Sequence, residues 1–144
     1  MTGLDGKENF LYEYGFDWLV TMSMVIAVGL GGLIGAMARF LIVEAVVQFL
    51  PNEHSYWGTV TVNLLGCFVI GVLIAWSEKS DAITPWMQCC VMTGLLGSLT
   101  TFSTFALDAV SLIQAGRIMT AMLNVGGQIF AGILLVVLGM LTVR

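Results

Sequence analysis

The residues able to do chemistry in this chain lie in the middle of a segment suited to lipid. Residues 94–105, GLLGSLTTFSTF, hold Gly94, Gly97, Ser98, Thr100, Thr101, Ser103 and Thr104 at the centre of a charge-free stretch running over residues 86–107. Glycines and hydroxyl side chains lower helix propensity and compete for backbone hydrogen bonds, so a helix here is expected to break between residues 97 and 101. Unwound backbone at membrane depth is tolerated only where it is buried in protein or lines a cavity, because each unsatisfied amide in lipid costs several kcal/mol. A break therefore predicts an ion site or pathway.

Other polar groups extend the track. Asn63 is the only amide of its apolar run, with Thr59 four residues before it and Gly66 three after, so all three share a helix face. An interhelical hydrogen bond worth about 1 kcal/mol and a pore-lining donor are both open readings of Asn63 alone. Asn124 and Gln128 are also four apart and share a face. Together with Asn63 and the hydroxyls they form a polar track longer than packing requires. Arg39 lies inside the first apolar run, where a charge is expensive and is by default functional; Asp108 is its expected in-chain partner. Arg39 either snorkels to an interface or faces a water-filled vestibule and raises the local anion concentration.

The donors favour an anion as the cargo. Proton-coupled transport usually needs an intramembrane carboxylate or histidine chain, and only Asp108, near the end of its run, approaches that role. Hydroxyls and amides donate to an anion, and the electropositive edges of Phe102 and Phe105, three residues apart on one face, can point at one.

The elements that must position these groups are membrane spans. The chain has 144 residues, 58% hydrophobic and 10% charged, with a mean hydropathy of +0.97. Apolar runs long enough to cross a hydrocarbon core of about 30 Å, which takes about 20 residues, cover 19–50, 57–76, 86–115 and 118–143. The expected fold is an all-α membrane protein of four transmembrane helices, with both termini on one side. Gly31 with Gly35 and Gly32 with Ala36 make a small-residue face on the first run; Gly58, Gly66, Gly71, Gly126, Gly127, Gly132 and Gly139 read as packing residues too. Residues 1–18 form an acidic, aromatic tail, suited either to the membrane interface or to no role, and residues 19–144 form the membrane domain. No cleavable signal peptide is expected, since the start is acidic rather than cationic. A formal charge of −4 gives no basic stripe, which argues against nucleic acid as a partner. Cys67 is mid-span, Cys89 and Cys90 point apart, and His54 is the lone imidazole, so a zinc site or cysteine nucleophile is not expected.

At these residues the chain resembles a known family. GLLGSLTTFSTF (94–105) is similar to the GLxGGxTTFSTF signature of the small fluoride-exporting channels called Fluc or CrcB, GTVTVNLLG (58–66) to their GTxxVNxxG motif, and GGLIGAMAR (31–39) to their GGxxGAxxR start. The resemblance covers about residues 25–142 and implies a passive fluoride channel in the cell membrane. It further implies an antiparallel, dual-topology homodimer with a broken third helix, two fluoride pores at the subunit interface, and a central structural sodium ion on backbone carbonyls. By motif position the carbonyls belong to Gly97 and Thr100. Phe102 and Phe105 supply the ring edges, Asn63 a pore donor, and Ser103, Thr104 and Thr59 vestibule hydroxyls; Arg39 matches the family's first-span arginine. Asn124 and Gln128 stand where the family often has a tyrosine and serine track, Ser98 replaces a glycine, and Asp108 a glutamate.

Charge placement fits insertion both ways. Lys7, Lys79 and Arg144 lie on the terminal side and Arg117 opposite, a slight bias for an orientation that follows Lys/Arg counts. A single subunit also has too little wall to enclose the track, so a second copy is expected to cover Asn63, Asn124 and Gln128. Two other classes compete. A small multidrug or cation exporter needs a carboxylate near the middle of the first span, and Glu44 lies near its end. A non-transporting scaffold explains the glycines but leaves the polar track with nothing to solvate.

Overall fold

The computed structural model describes residues 18–50, 56–80 and 83–143; the tail before Trp18, the loop with His54, and Arg144 lie outside the described residues. Every described element is helical, because in lipid a single chain satisfies its amides only within helices or closed barrels. Helix α1 spans Trp18–Phe49 and α2 spans Tyr56–Lys79. The third span is composite and bent. It comprises α3 (Pro85–Gln88), a π-helical run Cys89–Leu96, α4 (Gly97–Leu99), the joining residues Thr100 and Thr101, and α5 (Phe102–Gln114). Helix α6, Ile118–Thr142, completes four helical segments long and apolar enough to cross a membrane.

Local chemistry fixes the ends. Thr84 caps α3, its Oγ1 accepting from the Met87 N–H at 3.3 Å, with Pro85 as the first helical residue, the position where a missing N–H costs nothing. Between α5 and α6, Gly116 takes φ +74° while the Arg117 N–H donates to the Leu112 carbonyl and the Gly116 N–H to that of Ile113. This double bond pattern closes a helix end and needs a left-handed residue, hence glycine. The second span runs three residues past the expected Trp76, to Lys79, whose Nζ donates to the Val143 carbonyl at 2.6 Å. That bond ties the ends of α2 and α6 together.

Backbones approach closely wherever glycines meet. Helix α2 packs chiefly on α6, and α1 on the π-helical run. A Cβ at Gly71 would overlap the Val136 carbonyl, one at Gly139 the Phe68 carbonyl, and those at Gly31 and Gly35 the carbonyls of Cys90 and Leu95. Lipid tails are as apolar as leucine, so association rests on such close packing rather than on hydrophobic burial. Accordingly the core is small, with Val62, Leu96 and Leu99 at its centre, while Phe40, Leu123 and Phe130 face outward. Gly126 and Gly127 depart from the packing expectation, since a Cβ at either meets nothing within 4 Å in the chain.

Replacing Gly35 with Val is expected to destabilise the bundle by about 1–3 kcal/mol through overpacking. The check is the midpoint for loss of monodisperse protein on heating in detergent; Gly29→Ala, at a site with nothing within 4 Å of the new Cβ, is expected to leave it unchanged.

Candidate functional site

The site forms where the third span departs from helical geometry. Thr100 has φ −82°, ψ 157° and Thr101 φ −150°, ψ 120°, both extended. In an unbroken helix the Thr101 N–H would donate to the Gly97 carbonyl; here it donates to Asn63 Oδ1 at 2.8 Å. The Thr104 N–H, which would serve the Thr100 carbonyl, turns instead to Thr101 Oγ1 at 3.3 Å, so Thr101 acts as the N-cap of α5. The usual helical donors of Gly97 and Thr100 are thus both diverted.

Asn63 on α2 grips the extended residue from both sides. Its Nδ2 donates to the Thr101 carbonyl at 3.2 Å while its Oδ1 accepts from the same residue's N–H. The remaining Nδ2 hydrogen goes to Gln128 Oε1 on α6 at 2.9 Å, and Gln128 Nε2 donates to Asn124 Oδ1 at 3.0 Å. The amides predicted to share one track are therefore brought together in a single chain of bonds, and both hydrogens of Asn63 are engaged within the subunit. Gly66, one turn on from Asn63, makes room for Thr100, because a Cβ there would overlap Thr100 Cγ2.

A groove of about 500 Å³ opens beside this junction, lined by Asn63, Gly66, Met92, Gly97, Thr100, Thr101, Phe102, Phe105 and Gln128 among others. The Phe102 and Phe105 rings stand 5.7 Å apart at 44°, and Phe102 is 80% exposed. Ser103 Oγ lies 3.3 Å and Thr104 Oγ1 3.1 Å from Thr101 Oγ1. These two hydroxyls, both exposed, build the α5 cap and line neither this groove nor the second, near Tyr56. Thr59 is buried on α2 and Arg39 half-buried on α1, and they too are outside both grooves.

One expectation is corrected. No ion pair joins Arg39 and Asp108: α1 and α5 do not pack on each other, and Asp108 Oδ2 is buried without a hydrogen-bond partner among the described residues. Sequence reasoning also missed the role of Thr101 as the residue held by Asn63. The available signal was Thr101 followed three residues later by Thr104 at the start of a helical run, a hydroxyl N-cap pattern.

Asn63→Leu removes three hydrogen bonds and leaves the Thr101 N–H and carbonyl without their side-chain partner. The expected loss is about 2–4 kcal/mol, read as a lower thermal midpoint in detergent; an unchanged midpoint would show that Thr101 finds other partners.

Comparison with known proteins identifies the family. The family model described as CrcB-like protein, Camphor Resistance (CrcB) matches residues 26–140. A protein of Stutzerimonas stutzeri named fluoride-specific ion channel FluC is 42% identical over 113 residues, 78% of this chain and 90% of the relative. Proteins of the same name from Hydrogenovibrio crunogenus and a Nitratiruptor species are 42% and 44% identical, the matches covering 82% and 74% of this chain and 89% and 80% of those proteins. With the match spanning all four helical segments, the polar junction and the paired phenylalanines, this multi-pass membrane protein belongs to the CrcB-like family.

Proposed function

We propose that this chain is a fluoride-selective channel that lets fluoride leave the cell passively, built as an antiparallel, dual-topology homodimer with two pores. The observation that carries the reading is the groove at Thr100 and Thr101, lined by the side-chain amides of Asn63 and Gln128 and by two phenyl rings. A bare anion in low dielectric costs tens of kcal/mol by Born solvation, so a small, strongly hydrated ion must exchange water for closely spaced donors. Ring edges of Phe102 and Phe105 carry partial positive charge without a mobile proton. Asn63, Gln128 and Asn124 supply the polar wall, the exposed Ser103 and Thr104 vestibule hydroxyls, and the Arg39 guanidinium a positive field along the approach. The exposure of Phe102 fits a groove whose open side is closed by a second copy.

The proposed path includes a break in the third helix, at Thr100 and Thr101, and a sodium ion beside it. Among the described residues no cluster of His, Cys, Asp or Glu is placed to hold a metal. The fitting donors are the carbonyls of Gly97 and Thr100, whose helical N–H partners are taken by Asn63 and Thr101. Uncharged backbone carbonyls freed at an unwound point of a membrane helix are ligands of the kind that coordinate sodium. Such an ion would add positive charge at the middle of the assembly and hold two bends together; this chain's contribution is to turn the carbonyls out of the helical ladder. Lipid would contact the outward apolar faces.

Purified protein in liposomes is expected to release fluoride, read with an electrode, while retaining chloride and ethidium. Release no faster than from empty liposomes would remove the channel reading, and equal release of chloride would remove the selectivity. Phe102→Ile and Phe105→Ile, which keep apolar bulk without the ring edge, are expected to slow fluoride release about three- to tenfold, and Asn63→Asp, whose carboxylate cannot donate to the Thr101 carbonyl or Gln128 Oε1 and adds a negative charge to the groove wall, to nearly abolish it.

For the assembly, a single cysteine at position 52, in a background lacking Cys67, Cys89 and Cys90, is expected to react with an impermeant reagent from both faces of the membrane. Labelling from one face alone would rule out dual insertion.

A further inference from the structure

Asn63 holds one edge of the peptide unit that joins Thr100 to Thr101, and the other edge of that unit is the Thr100 carbonyl. A peptide bond is planar, and in its trans form the N–H and C=O point to opposite sides; among the described residues no peptide bond is cis. With the Thr101 N–H on Asn63 Oδ1 at 2.8 Å, the Thr100 carbonyl is turned away from Asn63. A single bond at one edge still leaves the plane free to rotate about the N–H direction. A second point of attachment lies on the same face of α2, at Gly66, three residues from Asn63.

Thr100 is held at three points. Its N–H and its Oγ1 both donate to the Leu96 carbonyl, at 3.1 and 3.0 Å. A β-branched side chain is stiff at χ1, so anchoring Oγ1 settles where the methyl goes. Cγ2 stands where a Cβ on Gly66 would fall, whereas Thr100 Cβ is 3.8 Å from that position, and beyond α2 no other described atom lies within 4 Å of it. Gly66 is buried, so the space it leaves is filled by one methyl and nothing else. We propose that Gly66 and Thr100 are a pair of positioning residues: the Thr100 methyl, seated at Gly66, is the second pin of the 100–101 peptide, and with the Asn63 bond it aims the Thr100 carbonyl out of the helical ladder. The inference rests on the reading of that carbonyl as a sodium ligand in a fluoride channel, and adds that its direction is set by a methyl on the third span facing a missing one on α2. The pair is therefore exchangeable. A methyl moved from position 100 to position 66 fills the same space from the other side and leaves the Oγ1 bond to Leu96 intact, while a methyl added at 66 alone puts two carbons in one place.

The test compares native protein with Gly66→Ala, Thr100→Ser and the double variant. Exchange of the Thr101 amide in detergent is expected to be about tenfold faster in Gly66→Ala, about threefold faster in Thr100→Ser, and within about twofold of native in the double variant. Fluoride release from liposomes is expected to fall and recover in the same order. The rise in thermal midpoint when sodium replaces a large organic cation, which packing alone would not move, is expected to vanish in Gly66→Ala and return in the double variant. Thr100→Val, which keeps a methyl and loses the hydroxyl, is expected to release fluoride within about threefold of native. A double variant as impaired as the two single changes added together would overturn the pin, and so would one that regains its midpoint without the Thr101 protection. A loss in Thr100→Val equal to that in Gly66→Ala would assign the pin to the hydroxyl instead. Amide exchange needs neither fluoride nor sodium, so native protein that releases no fluoride, or whose midpoint ignores sodium, overturns the functional reading while the exchange series still decides the pin.

Discussion

The structure depends on one side chain making, in the middle of the third span, the hydrogen bonds that a helix would otherwise make for itself. Two consecutive extended residues, Thr100 and Thr101, leave backbone groups without helical partners, and in lipid there is no water to take them. Asn63 answers with an amide, the only neutral side-chain group besides glutamine's that donates and accepts with peptide-like geometry. It pairs with both polar atoms of Thr101. Serine or threonine at position 63 would reach one of those atoms, and leucine none.

That pairing organises what surrounds it. Diverting the Thr101 N–H from Gly97 and the Thr104 N–H from Thr100 turns two carbonyls out of the ladder, and the Thr101 hydroxyl starts a fresh helix whose first turn carries Phe102 and Phe105. Glycines set the distances. Without Gly66, Thr100 Cγ2 would have no room, and Cβ atoms at Gly71 and Gly139 would overlap the facing carbonyls of Val136 on α6 and Phe68 on α2. The bend, the phenyl pair and the amide chain are thus consequences of close packing between α2, α6 and the third span, as expected where small residues rather than apolar burial drive association.

Much of this was legible in the chain. Spans of about 20 apolar residues admit little besides helices, so the four helical segments fall within a few residues of their expected limits. The four-residue spacing of Asn124 and Gln128 placed both on one face, and they bond there. What spacing within a span does not encode is which spans touch. Arg39 and Asp108 looked like partners because both are charged and otherwise alone, yet their helices do not pack together. Likewise, that both hydrogens of Asn63 are spent inside the subunit depends on Thr101 and Gln128, 38 and 65 residues away. Gly126 and Gly127 read as packing residues, and only the tertiary arrangement shows that a Cβ at either meets nothing within 4 Å in the chain.

The most direct test of the Asn63 clasp is amide hydrogen exchange at Thr101 in detergent-solubilised native protein and in Asn63→Leu. If the side-chain amide holds the extended residue, the Thr101 N–H is protected in the native protein and exchanges at least about tenfold faster in the variant, while amides in the centre of α6 keep their protection. Equal protection of Thr101 in the two proteins would mean that its N–H is bonded elsewhere, and that the bend of the third span does not rest on Asn63.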